Sequence, residues 1–129
     1  DVYKRQLVCY LLLNLDEIGI GIRSLVYRTE EAIIRLLNAE GITAERREGA
    51  PGVYTANAKI AQIGLRVKRH NTYHGLSLNI DMDLEPFNRI NPCGFANLKA
   101  TQIRDYLPDT AITDTATKLL ACLEKRLAD

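Results

Sequence analysis

Two alternating segments joined by a short polar stretch constrain the fold most. In "KIAQIGLRVKR", residues 59 to 69, Ile60, Gln62, Gly64, Arg66 and Lys68 fall on one face, and Ala61, Ile63, Leu65 and Val67 on the other. That is the period of two that a β-strand requires. "YHGLSLNIDMDL", residues 73 to 84, alternates again, and "HNT" between the two reads as a turn. The pair predicts an antiparallel hairpin. Gly75, inside the second strand pattern, marks a place where something approaches the backbone closely.

Helices are expected on either side of this hairpin. From 22 to 40, Ile22, Leu25, Val26, Ile33, Leu36 and Leu37 recur close to the helical period, and Gly41 ends the run. A closing helix carries Ala116, Leu119, Leu120, Leu123 and Leu127 on one stripe, and a short helix is expected over "NLKATQIRDY", residues 97 to 106. "LVCYLLL", residues 7 to 13, reads as a buried strand and is far too short to span a bilayer. "ITAERRE", residues 42 to 48, is a further short strand, and "GAPGVY", residues 49 to 54, is a turn entering the next. Strands of mixed connection between helices predict an α+β domain with a mixed, largely antiparallel sheet and flanking helices.

Composition narrows the function classes. With 47% hydrophobic and 26% charged residues among 129, the chain suits one globular domain with a real core. Seventeen basic against sixteen acidic side chains leave a net charge of +1, so no field favours nucleic acid or an anionic membrane. Three cysteines, Cys9, Cys93 and Cys122, form no CxxC or Cys/His metal spacing and fit free thiols in a reducing cytoplasm. "DMDLE" starts like a calcium loop, but Pro86 stands where that loop needs glycine, and "GIGIRS" is an incomplete dinucleotide fingerprint. Neither is retained, and no cofactor or metal is expected.

Cys93 is the candidate nucleophile. It stands in "NRINPCGF", where Pro92 kinks the backbone and Gly94 frees it, so that a thiol could be presented from a loop. A nucleophilic thiol also needs a nearby positive charge, because its ordinary pKa of about 8.5 leaves it only a few per cent ionised at pH 7. Lys59, at the start of its strand among small residues, is either that charge or a solvated strand end. His74 reads as core or rim rather than a base, and "RVKRH" as a solvated edge, with docking of an acidic partner the lesser alternative. Cys9 and Cys122 lie in apolar segments and read as packing.

"PGVY", "KIAQIGLRV", "YHGLSLN" and "FNRINPCG", in that order, resemble the lipoate-biosynthesis octanoyltransferases, also called lipoyl(octanoyl) transferases. The resemblance covers nearly all of residues 7 to 129 and is densest from 50 to 95. It implies a fold similar to the catalytic module of biotin and lipoate protein ligases. It also implies transfer of an octanoyl group from acyl carrier protein to a lysine of a lipoyl domain, through a thioester on Cys93 tuned by Lys59, without cofactor. The acceptors would be the lipoyl domains of 2-oxoacid dehydrogenase complexes and the glycine cleavage H protein, in the cytoplasm. Acyl-binding positions carry over to Gln62, Ile63 and Gly64 on the first strand and to Gly75, Leu76 and Ser77 on the second. Ser77 is a mild departure, because alanine is frequent there in the family.

A larger departure lies at the start. The family's Arg-Gly-Gly run with its Thr-aromatic-His should precede the first strand, and only its tail, Gln6 to Tyr10, is present. One back-translation of "DVYKRQ", GAT-GTG-TAT-AAG-AGA-CAG, resembles the end of a transposon adapter used in sequencing libraries. Residues 1–6 are therefore expected to be adapter-derived, and 7–129 to form a single acyltransferase domain lacking its N-terminal part. Alternatives left open are an ATP-dependent lipoate or biotin ligase of the same superfamily, an amidotransferase fed by a lipoyl-domain donor, and an inactive fragment.

Overall fold

The computed structural model describes residues 4–82, 99–108 and 112–128. In chain order the elements are β1 (Lys4–Tyr10), α1 (Leu15–Ile18), α2 (Ile22–Ala39), β2 (Glu45–Arg47), β3 (Ala50–Thr55), β4 (Ala58–Lys68), β5 (Asn71–Met82), β6 (Lys99–Ala100), a 3-10 turn at Ile103–Asp105, and α3 (Ile112–Ala128). The sheet order is β1-β5-β4-β3-β2, all antiparallel, with β6 alongside the start of β4 in parallel. This is the expected mixed, largely antiparallel α+β architecture.

One face of the sheet is covered by α2 and α3. Ala32, Ile33, Leu36 and Leu37 of α2 and Leu119 and Leu123 of α3 pack on Val53, Ala61, Ile63, Leu76 and Leu78 of the strands in one core. α2 ends as the glycine predicted. Gly41 takes φ +84°, its N–H reaches the Asn38 carbonyl at 3.0 Å, and the Ile42 N–H reaches Leu37 at 2.9 Å. Those two bonds close a Schellman motif and send the apolar Ile42 into the core. No described helix is long and apolar enough to cross a membrane.

Three expectations need correction. The hairpin turn falls on Arg69 and His70, both left-handed at φ 52° and 68°, one residue before "HNT". Pairing of Ala61–Lys68 with Asn71–Leu78 fixes the register, and the turn residues accept an unfavourable conformation to allow it. Thr72 thereby becomes a buried strand residue. Its hydroxyl accepts from the Leu13 N–H at 2.9 Å and donates to the Leu11 carbonyl at 2.6 Å, tying the segment after β1 to the hairpin. Thr72→Val would keep the shape and orphan both groups, so a loss of about 1–3 kcal/mol is expected in a urea midpoint measurement.

The segment 7 to 13 is not a buried strand throughout. β1 stops at Tyr10, and Val8, Tyr10 and Leu12 are exposed, because β1 is the edge of the sheet and only alternate residues meet the helices. β1 also takes in Gln6, whose side chain donates to Asn79 at 2.8 Å. The third correction concerns 97 to 106, whose described part is helical only over the 3-10 turn Ile103–Asp105. Lys99 and Ala100 pair with Ala58 and Lys59, and the Thr101 N–H donates to the Lys59 carbonyl at 2.8 Å. An open strand edge offers that backbone its hydrogen bonds, and this overrides a weak helical pattern. The closing helix forms, although Leu120 of its stripe is exposed.

Candidate functional site

The hairpin sorts its residues by face. Gln62 stands opposite Ser77, Gly64 opposite Gly75, and across the other edge of β5 Ser77 meets Val8 and Gly75 meets Tyr10. These residues line the face turned away from the helices. Ile63 and Leu76 pair with each other on the opposite face, 4% and 3% exposed, inside the core. The side chains of these two positions, acyl-binding by the resemblance, thus point into the core and away from the face of Gln62 and Gly64. What those two positions offer the outer face is backbone.

Gly64 and Gly75, side by side, leave a strip of bare backbone in the middle of this face. The two glycines are there for different reasons. A Cβ on Gly64 would meet nothing within 4 Å, whereas a Cβ on Gly75 would collide with the carbonyl oxygen of Cys9 and lie 3.0 Å from the Leu11 nitrogen. Gly75 is the close approach that its place in the strand pattern predicts, and the approaching backbone is β1.

Lys59 reaches the same face through a bulge. Strict alternation would place Lys59 with Ala61 and Ile63, toward the core. Instead Val53 pairs with Ala61 while its neighbour Tyr54 pairs with Lys59, so Ile60 is an extra residue in β4. The bulge turns Ile60 fully into the core and Lys59 onto the outer face. There the Lys59 ammonium donates to the Gln62 side-chain oxygen at 2.6 Å and lies 5.7 Å from the centre of the Tyr54 ring. At 7% exposure, Lys59 is no solvated strand end.

The geometry thus brings Lys59, Gln62, Gly64, Gly75 and Ser77 onto one face. Cys93 lies outside the described residues. The chain leaves β5 at Met82 and re-enters at Lys99, which pairs with Ala58 next to Lys59. Of the other thiols, Cys9 faces the core and burial pushes its pKa up, which keeps it protonated and sluggish as a nucleophile at neutral pH. Cys122 is also half-buried against the core. His74 is exposed, its ring 4.8 Å from that of Tyr73, and residues 66 to 70 are exposed at the hairpin tip.

Two residues that the sequence reading passed over stand behind Lys59. The side chain of Glu30, 7% exposed on α2, accepts from the Gly52 N–H at 3.0 Å and from Arg46 at 3.2 Å. Gly52 adopts φ +137°, and the space its Cβ would fill is taken by Lys59, whose Cε lies 3.0 Å from that point. The available signal was Glu30 itself, an acid at helical spacing between the apolar Val26 and Ile33.

Residues 2–124 match the lipoyl protein ligase A/B catalytic domain. The chain belongs to that family. Within it, an octanoyltransferase from Chromobacterium violaceum is 52% identical over 123 residues, which are 95% of this chain and 59% of that protein. The chain spans 57–59% of the length of the first curated relatives it matches. Among solved structures, biotin protein ligase from Aquifex aeolicus in complex with biotin and ATP aligns with a TM-score of 0.73 at 16% identity, over 95% of this chain and 50% of that one. Lipoate-protein ligase A bound with ATP aligns at 0.72 and 12% identity, over 95% of this chain and 51% of that one. At these identities the two structures establish the fold, as the resemblance implied.

Proposed function

We propose that the chain is the catalytic part of an octanoyltransferase, moving an octanoyl group from acyl carrier protein to a lysine of a lipoyl domain through a thioester on Cys93. The observation that carries the proposal is the bulge at Ile60, which sets a nearly buried lysine beside Gln62 on the glycine-floored face. Relatives at about half identity that are named octanoyltransferases support it.

The chemistry needs only groups that the chain can supply. The Cys93 thiolate attacks the carrier thioester, a new thioester forms, and the carrier leaves as its thiolate. The neutral amine of the acceptor lysine then attacks the Cys93 thioester, an amide forms, and Cys93 leaves as the thiol, carrying the proton that the amine loses. Thioester exchange is close to balanced and the amide is the more stable product, so no ATP or cofactor is called for. The positive charge of Lys59 would favour the thiolate in the first step. In the second, Lys59 would pass the proton lost by the incoming amine to the departing sulfur. The strip over Gly64 and Gly75 admits an extended acyl chain against backbone, flanked by Gln62 and Ser77. The acceptors would be the lipoyl domains of 2-oxoacid dehydrogenase complexes and the glycine cleavage H protein, in the cytoplasm.

The test is intact mass spectrometry of the protein expressed from the complete reading frame, after incubation with octanoyl-carrier protein and without acceptor. A mass gain of one octanoyl group, absent in Cys93→Ala and discharged by a lipoyl domain, is the expected result. A folded protein that gains no adduct from intact donor, yet modifies the lipoyl domain when given octanoate and ATP, would move the assignment to the ligases.

A further inference from the structure

We propose that Glu30 is a positioning residue for Lys59, acting through the backbone of Gly52. The inference rests on the reading of Lys59 as the group that moves the proton. Glu30 is a buried carboxylate that reaches from α2 to the sheet. One oxygen accepts from the Gly52 N–H at 3.0 Å, and the other is held by Arg46 at 3.2 Å. Arg46 is itself fixed from three sides: it donates to Glu31 at 2.7 Å and to the Tyr27 carbonyl at 3.1 Å, and lies 3.8 Å over the Tyr27 ring. A buried charge is tolerated when it is paired and hydrogen-bonded in this way. The carboxylate is thus rigidly placed, and what it grips is a backbone amide.

The amide it grips sits where the lysine needs room. Gly52 has φ +137°, a conformation open to glycine, and its Cα faces the end of the Lys59 side chain. A Cβ there would stand 2.7 Å from the Ala61 carbonyl oxygen, 3.0 Å from Lys59 Cε and 3.6 Å from Lys59 Nζ. The Gly52 backbone therefore forms one wall of the lysine's slot, and the Lys59 ammonium donates a hydrogen bond to the Gln62 side-chain oxygen at 2.6 Å. Fixing the wall fixes where the ammonium can sit. Without Glu30 the backbone at Gly52 loses its anchor, and the slot loses its shape.

The experiment uses the protein expressed from the complete reading frame, with Glu30→Ala, Glu30→Gln, Gly52→Ala and Lys59→Met variants whose folding is checked by circular dichroism. Trace acetylation of Lys59 by acetic anhydride, read by peptide mass spectrometry against the exposed Lys125, reports how tightly the ammonium is held. Octanoyl transfer reports kcat and KM. Glu30→Ala is expected to raise Lys59 labelling about 5-fold or more, as a local clamp is released. It should lower kcat about 10- to 100-fold with KM little changed, the cost of a misplaced catalytic group. Glu30→Gln keeps an acceptor for the Gly52 N–H and should restore most of both. Gly52→Ala, acting from the lysine's side, should raise labelling with Glu30 intact. A folded Glu30→Ala with labelling and kcat unchanged overturns the proposal. If Glu30→Ala fails to fold, a Gly52→Ala with wild-type labelling overturns it instead. Should Lys59→Met retain full transfer while Glu30→Ala still frees Lys59 for labelling, the positioning stands and the catalytic reading of Lys59 falls.

Discussion

Replacing Lys59 by methionine is expected to lower octanoyl transfer by about 10²–10⁴, the range for removing a positioned proton-transfer group. The effect should be confined to chemistry. Methionine keeps most of the side chain's length and its packing against Gly52, and the hydrogen bond it gives up to Gln62 is only part-buried. Stability should therefore change by no more than about 1 kcal/mol. The measurement is transfer to a lipoyl domain in steady state, paired with single-turnover discharge of preformed octanoyl-protein and a denaturant midpoint. Both catalytic steps should slow, since the same cation favours the thiolate before attack and takes part in proton transfer after it. Transfer within about 3-fold of wild type in a folded variant would remove Lys59 from the chemistry.

Gly75→Ala is expected to cost about 3 kcal/mol or more, or to prevent folding, although it adds a single methyl group. The added Cβ would run into the Cys9 carbonyl and crowd the Leu11 nitrogen, backbone atoms that cannot swing aside as a flexible side chain would. β1 would have to separate from β5 over the Tyr10 to Gly75 pairing, loosening the Thr72 tie beyond it. Gly64→Ala is the control. Its Cβ enters open space, and alanine is the better strand residue, so stability should hold within about 0.5 kcal/mol. Transfer should nevertheless fall in Gly64→Ala, because the methyl stands on the strip where the acyl chain would lie. Urea midpoints and transfer rates on the two variants separate the glycine that builds the sheet from the one that leaves it bare. Equal destabilisation of both would refute the distinction.

Much of this was legible in the sequence because a period of two survives reading without a structure. The alternation of β4 and β5 put Gln62 with Gly64, and Gly75 with Ser77, on shared faces. The α2 stripe ended at Gly41 for the reason glycine usually ends helices. What escaped has physical causes. A bulge adds a residue without altering composition, so the place of Lys59 beside Gln62 could not be counted out from the pattern. Ile63 and Leu76, taken as acyl-binding from the resemblance, lie in the core because alternation holds at those positions. Arg69 and His70 form a turn without glycine or asparagine, where local preference gave no sign. Residues 99 to 101 follow an edge supplied by Lys59 itself, a partner about forty positions away in the chain. Glu30 looked like one more acid on an amphipathic helix until Gly52 appeared against it.

The extra isoleucine in β4 has a consequence for how such a protein can vary. Lys59 pairs with Tyr54 and Ile60 is the residue that the pairing skips, so Ile60 fills the core without choosing the lysine's partner. Ile60 could change to another apolar residue and the lysine would keep its place. Loss of one codon there would set Lys59 next to Ala61, where plain alternation also turns it away from the core, so the lysine would keep its face and the core would lose the Ile60 side chain. Over evolutionary time, the apolar volume behind the lysine is what this position should preserve. A gap aligned at position 60 in any relative would mark a sheet that fills that space by some other means.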